Sequence, residues 1–74
     1  MTDMKVLLEC KCSATREWRT VARFEMGMPA LDAAKALSKL DGCEYRVIDD
    51  RWPDHSAPLI TLYAAGEFVG EMAA

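Results

Sequence analysis

The sequence predicts an α+β fold, a single domain of build β-β-α-β-β in which one antiparallel sheet carries one helix on one face. Three observations predict it. Two stretches near the start alternate apolar and polar residues with a period of two, and an alanine- and leucine-rich stretch between Pro29 and Gly42 repeats at helical spacing. Further strand-like runs follow, and everything fits within 74 residues, the length of one domain spanning 1–74.

The first strand is read from Lys5 to Cys12: Val6, Leu8, Cys10 and Cys12 share one parity, Lys5, Glu9 and Lys11 the other, with Leu7 the exception. The second runs from Trp18 to Met26, where Trp18, Thr20, Ala22, Phe24 and Met26 oppose Arg19, Val21, Arg23 and Glu25. Polar residues Ser13 to Glu17 join the two as a hairpin loop with no Gly or Asn to mark the turn. Pro29 suits a first helical position, because the N–H it lacks would have no partner there. Leu31, Ala34, Leu37 and Leu40 then form an apolar stripe, supported by Ala30, Ala33 and Ala36. Asp32 in the first turn and Lys39 in the last match the helix dipole, and Gly42 supplies a left-handed stop, so the helix is predicted over Pro29 to Asp41.

Glu44 to Asp50 is a third strand, with Tyr45 and Val47 on one face and Arg46 and Ile48 on the other. Pro53 and Pro58 punctuate an exposed loop, Arg51 to Ala57. Leu59 to Ala64 is apolar on both parities and reads as a fourth strand, after which Ala65-Gly66-Glu67 turns toward a short fifth, Phe68 to Met72. A right-handed crossover through the helix places the third strand beside the first, giving a sheet order of 2-1-3-4.

Composition narrows the function. Apolar residues make up 51% of the chain against only four Gly and three Pro, which excludes a disordered or collagen-like polymer. The longest apolar run, 57–65, is broken by Pro58 and Thr61 and falls short of the roughly 18 residues of a membrane span. The start, Met1-Thr2-Asp3-Met4-Lys5, has no basic region followed by an apolar core, so no secretory signal is read and a cytoplasmic home is expected. Three cysteines cannot all pair internally and are read as reduced thiols. The net charge of −3 divides unevenly: residues 1–40 carry seven basic and five acidic side chains, residues 41–74 two basic and seven acidic. Such polarity favours an oriented encounter with a charged partner. A fold of this length has a radius of gyration of about 11 Å, too small for a deep enclosed pocket, so binding rather than enzymatic catalysis is expected.

Parity assigns Val6, Leu8, Cys10, Trp18, Ala22, Phe24, Tyr45 and Val47 to the helix side of the sheet. The uncovered side then receives Leu7, Val21 and Ile48 interleaved with Arg19, Arg23 and Arg46, a mixture with the composition of an interface. These six are the candidate partner-binding residues of the sheet face. A second candidate is an acidic group, Glu44, Asp49, Asp50 and Asp54, able to imitate phosphates toward a basic groove.

Other chemistry is read as absent. Cys10, Cys12, Cys43 and His55 are the residue types of a zinc site, but one residue between two cysteines on a strand leaves both thiols in line instead of wrapping a metal. No metal or cofactor is therefore expected. Asp54-His55-Ser56 has the residue types of a hydrolytic triad, yet adjacent side chains do not converge and no oxyanion loop accompanies them. Asp49, Asp50 and Asp54 lack calcium-loop spacing and its glycine. Direct nucleic-acid binding is disfavoured by the acidic balance and by parity, which places Trp18, Phe24 and Tyr45 opposite Arg19, Arg23 and Arg46.

Two resemblances complete the reading. Ala57-Pro58-Leu59-Ile60-Thr61-Leu62-Tyr63 followed by Gly66-Glu67-Phe68-Val69-Gly70 looks like the strand, turn and strand after the active-site proline of thioredoxins, but no C-x-x-C occurs and no redox role is implied. The Trp-led strand Trp18-Arg19-Thr20-Val21, the alanine-rich helix and Tyr45-Arg46-Val47-Ile48-Asp49 resemble small phage- or mobile-element-encoded proteins of the anti-CRISPR inhibitor type. That resemblance implies a non-enzymatic inhibitor acting in the host cytoplasm by docking on a host protein complex. The alternative expectation is a homodimeric structural or regulatory protein whose open faces pack together.

Overall fold

The computed structural model describes residues 4–11, 14–50 and 59–73. The elements are β1 (Val6–Lys11), β2 (Trp18–Phe24), α1 (Gly27–Asp41), β3 (Glu44–Asp49), β4 (Leu59–Ala64) and β5 (Glu67–Ala73). The strands form one sheet in the order β2-β1-β3-β4-β5, antiparallel at every step. The expected α+β architecture and the crossover that seats β3 beside β1 are both present, and the fifth strand is as long as any other. The predicted loop Arg51 to Ala57, including Asp54, lies outside the described residues.

The helix lies across one face and touches all five strands. Beneath it are the buried sheet residues Val6, Leu8, Tyr45, Val47 and Thr61, which meet Ala30, Ala34 and Ser38 of the helix. These helix residues recur every fourth position, and their small side chains let the backbone come close to the sheet. Three of the four positions of the expected stripe pack against the sheet, Ala34 among them. Leu31 and Leu37 flank the core, while Leu40 is 82% exposed, because α1 rests on its Ala30-Ala34-Ser38 ridge.

Both helix ends differ informatively from expectation. The helix begins at Gly27, two residues early, so Pro29 occupies its third position; an N–H at that position also has no partner within the helix, and proline is tolerated there. Asp32 consequently falls beyond the first turn. At the other end Gly42 adopts φ +73° and donates its N–H to the Ser38 carbonyl at 2.9 Å, the predicted left-handed stop. The β1–β2 loop turns without glycine because Arg16 itself takes φ +57°.

Ser38 fastens the far edge of the sheet. Its buried hydroxyl donates to the Lys35 carbonyl at 3.1 Å and accepts the Gly66 N–H at 2.9 Å. Gly66 and Ala65 both have positive φ, +80° and +52°, which suits the two-residue turn from β4 into β5 to the twist of its strands.

Candidate functional site

The uncovered face can be read from the register as three cross-strand rows. Arg23, Leu7, Ile48, Ile60 and Met72 form the first, Thr20, Glu9, Arg46, Leu62 and Gly70 the second, and Trp18, Lys11, Glu44, Ala64 and Glu67 the third. No described element covers them. Leu7, Ile48, Ile60 and Leu62 are half-buried by their neighbours alone, and Met72 is 53% exposed, so the part of the face running from Leu7 across to Met72, with Leu62 beside it, is apolar.

The other half is polar and ordered around Glu9. One carboxylate oxygen accepts from Arg46 Nε at 2.7 Å and Nη2 at 2.6 Å, and the other accepts the Thr20 hydroxyl at 3.0 Å. The Arg46 guanidinium also lies 4.3 Å from the centre of the Trp18 ring, and Lys11 approaches the same ring at 5.8 Å. Lys11 pairs with Glu44 at 3.7 Å.

This placement of Trp18 corrects the expected parity. β2 pairs with β1 through Phe24, Arg23 and Ala22, then skips Val21 and resumes with Thr20 opposite Glu9. That one-residue bulge reverses the alternation, sending Trp18 and Thr20 to the open face and Arg19, opposite Cys10, to the helix side. Of the six sheet-face candidates, Leu7, Arg23, Arg46 and Ile48 share the open face, Val21 occupies the bulge at 53% exposure, and Arg19 is on the other side. The parity objection to nucleic acid fails for Trp18, which shares its face with Arg46 and Arg23; the acidic composition stands.

Among the described residues, the acidic candidates Glu44 and Asp49 fall on opposite faces of the sheet. Glu44 begins β3 on the open face, whereas Asp49 ends it on the helix side, beside a cavity of about 200 Å³ between the start of α1 and strands β3 to β5. Asp50 donates its backbone N–H to the Lys5 carbonyl at 3.1 Å. Asp54 is outside the described residues.

A cluster at the opposite corner is invisible to spacing rules. The thiols of Cys10 and Cys43 and the carboxylate of Asp41 have ligand atoms within 4.8 Å of one another. Asp41 ends α1, where the helix dipole disfavours a negative charge. The Tyr45 hydroxyl donates to its Oδ2 and the Cys43 N–H donates to its Oδ1 at 2.9 Å, and these bonds lower the Asp41 pKa against a smaller opposing effect of desolvation. Burial raises the Tyr45 pKa, as does the bond to Asp41. Burial likewise raises the Cys43 thiol, helped by the Asp41 charge and by Cys10, which keeps the thiol neutral near pH 7.

The two shifts have opposite consequences for stability. A lowered Asp41 pKa contributes stability above its unfolded value near 4, lost as pH falls through the folded value. The raised Tyr45 pKa contributes stability present below about pH 10 and lost as pH climbs toward its folded value. Thermal melts of Asp41→Asn should show a shallower decline below pH 4, and those of Tyr45→Phe a shallower decline above pH 10. Unchanged slopes would disprove the linkage.

Compared with protein-family models, curated proteins and solved structures, the chain shows no significant match. Among the described residues, no helix is long and apolar enough to cross a membrane.

Proposed function

We propose that the chain is a non-enzymatic protein-binding module that docks through its uncovered sheet face onto another protein. The observation that carries this reading is the asymmetry of the sheet: among the described residues, every buried one in the sheet lies under α1, while Leu7, Ile48, Ile60 and Met72 form an apolar row, extended by Leu62 beside it, with no described cover. Arg46 stands beside that row and Trp18 one row further, both of residue types enriched at binding hot spots, and the guanidinium is already held between Glu9 and the Trp18 ring. Prior ordering lowers the entropic cost of docking.

Size sets the expected strength. Five strands at ~4.8 Å spacing and six residues at ~3.4 Å give a face of about 500 Å², below the roughly 800 Å² that each partner contributes to a standard interface. Affinity therefore has to come from a few anchors. The size, acidic balance and strand-helix-strand build shared with phage-type inhibitors support a host protein complex, of the CRISPR type, as the partner. The dispersal of Glu44, Asp49 and Asp50 favours the sheet face over phosphate imitation as the docking surface.

A second reading, self-association, has its own support. Arg23, Lys11 and Arg46 balance Glu9, Glu44 and Glu67 across the face, so two copies can meet there without net repulsion although the whole chain carries −3.

Replacing Ile48 and Ile60 together by glutamate places two unpaired charges in the apolar row and should weaken docking at least about 100-fold. Affinity capture from the host, read by mass spectrometry and followed by titration of the purified partner, measures this, with light scattering of both proteins in parallel. A partner bound equally by both forms refutes the sheet face; a concentration-dependent dimer abolished by the pair, with no captured complex, selects self-association.

A further inference from the structure

We propose that Cys10, Asp41 and Cys43 form a binding site for a thiophilic divalent cation of the zinc class. Three parts of the chain converge there: β1, the last residue of α1 and the residue after its glycine stop. Their two sulfurs and a carboxylate oxygen lie within 4.8 Å of one another. Zinc bonds of about 2.3 Å to sulfur and about 2.0–2.2 Å to oxygen hold tetrahedral ligands about 3.5–3.8 Å apart, so no pair has to close by more than about 1 Å. Rotation of short side chains supplies that.

The backbone explains the convergence. Antiparallel pairing sets Cys10 opposite Tyr45, which makes Cys43, two residues earlier, its diagonal neighbour. Gly42 at φ +73° reverses the chain tightly enough to bring Asp41 and Cys43 together across a single residue. Cys10 and Cys12, one residue apart in the sequence, offer no turn that wraps a metal. The geometry instead recruits Cys10 with an Asp-Gly-Cys turn from elsewhere in the sequence.

The surroundings suit a metal ligand set. The Tyr45 hydroxyl and the Cys43 N–H each hold one Asp41 oxygen, fixing the carboxylate's orientation while each oxygen keeps a lone pair. Cys10 and Cys43 are half-buried and Asp41 is exposed, so an ion can reach the cluster and water can complete a fourth position. Two sulfurs select zinc over magnesium or calcium, which take oxygen ligands throughout. Binding joins one divalent cation to two thiolates and the carboxylate and releases the two thiol protons to solvent. The ion would tie the end of α1 to β1, a clamp of the kind small domains use in place of a larger core.

The test is a titration of the reduced 74-residue chain with Co²⁺, followed by displacement with Zn²⁺. One equivalent of cobalt should bind with a sulfur-to-cobalt charge-transfer band and tetrahedral d–d absorption, and zinc should abolish both while raising Tm. Cys10→Ser and Cys43→Ser should each weaken binding at least about 100-fold and Asp41→Asn about 10-fold, while Cys12→Ser retains it. Far-UV circular dichroism and the metal-free Tm verify folding, and Cys10→Ala replaces Cys10→Ser if the serine variant fails to fold. No cobalt uptake at micromolar concentration, or wild-type uptake by folded Cys10 or Cys43 variants, overturns the site. Loss of uptake in Cys12→Ser with none in Asp41→Asn overturns this ligand set.

Discussion

Leu8→Ala should lower the free energy of unfolding by about 3 kcal/mol, toward the lower end of the range for emptying a leucine site in a packed core. Leu8 is 1% exposed and sits between Ala22 of β2 and Val47 of β3 on the helix side. A chain of 74 residues has a total stability of roughly 4–11 kcal/mol, so the loss removes a large part of it. The corresponding fall in Tm is about 15–20 °C. Leu40→Ala is the informative partner. At 82% exposure Leu40 has little to lose, and its change should stay within about 0.5 kcal/mol. Urea denaturation of both variants checks the pair; equal losses would mean that α1 is not seated on its Ala30-Ala34-Ser38 ridge.

That contrast also shows what patterning can reveal. Helical spacing identifies α1 and its glycine stop, because both depend on local backbone preferences, but Leu37 and Leu40 look equivalent in a stripe although only Leu37 reaches the core. The arc that faces the sheet depends on how closely the helix approaches. Small residues at 30, 34 and 38 permit that approach, and a buried serine among them is no apolar signal.

Strand parity has a similar limit. Alternation from Val6 to Cys10 translates directly into faces, whereas in β2 the single unpaired Val21 inverts it, and nothing in Trp18-Arg19-Thr20-Val21 distinguishes a bulge from continuous pairing. The partners of Trp18 are then decided by register: Lys11 lies directly opposite, and Arg46 lies one strand further across. The Cys10-Asp41-Cys43 cluster is hidden for a related reason. Asp41 and Cys43 are 31 and 33 residues from Cys10, and only the β1–β3 register and the Gly42 turn bring them together. The one local signal is Asp41-Gly42-Cys43 at a predicted helix stop.

Gly66→Ala should cost about 2–3 kcal/mol, the sum of left-handed backbone strain and a steric conflict. Gly66 has φ +80°, and a Cβ there would lie 2.7 Å from Cβ of Lys39, an atom fixed to the helix backbone and unable to rotate away. Relief requires the β4–β5 turn to withdraw from α1, which would stretch the 2.9 Å bond from the Gly66 N–H to the buried Ser38 hydroxyl. The other glycines separate these effects. Gly42 has φ +73° with nothing within 4 Å of the place a Cβ would take, so Gly42→Ala should show the backbone strain alone, about 1–2 kcal/mol. Gly70 in β5 has neither positive φ nor a close neighbour, and Gly70→Ala should be neutral or stabilising by up to about 1 kcal/mol. Hydrogen exchange should locate the Gly66→Ala loss in β5, the edge strand carrying Met72 of the docking face, before it reaches β1. Equal costs at Gly66 and Gly42 would show that the helix and the turn are not in contact.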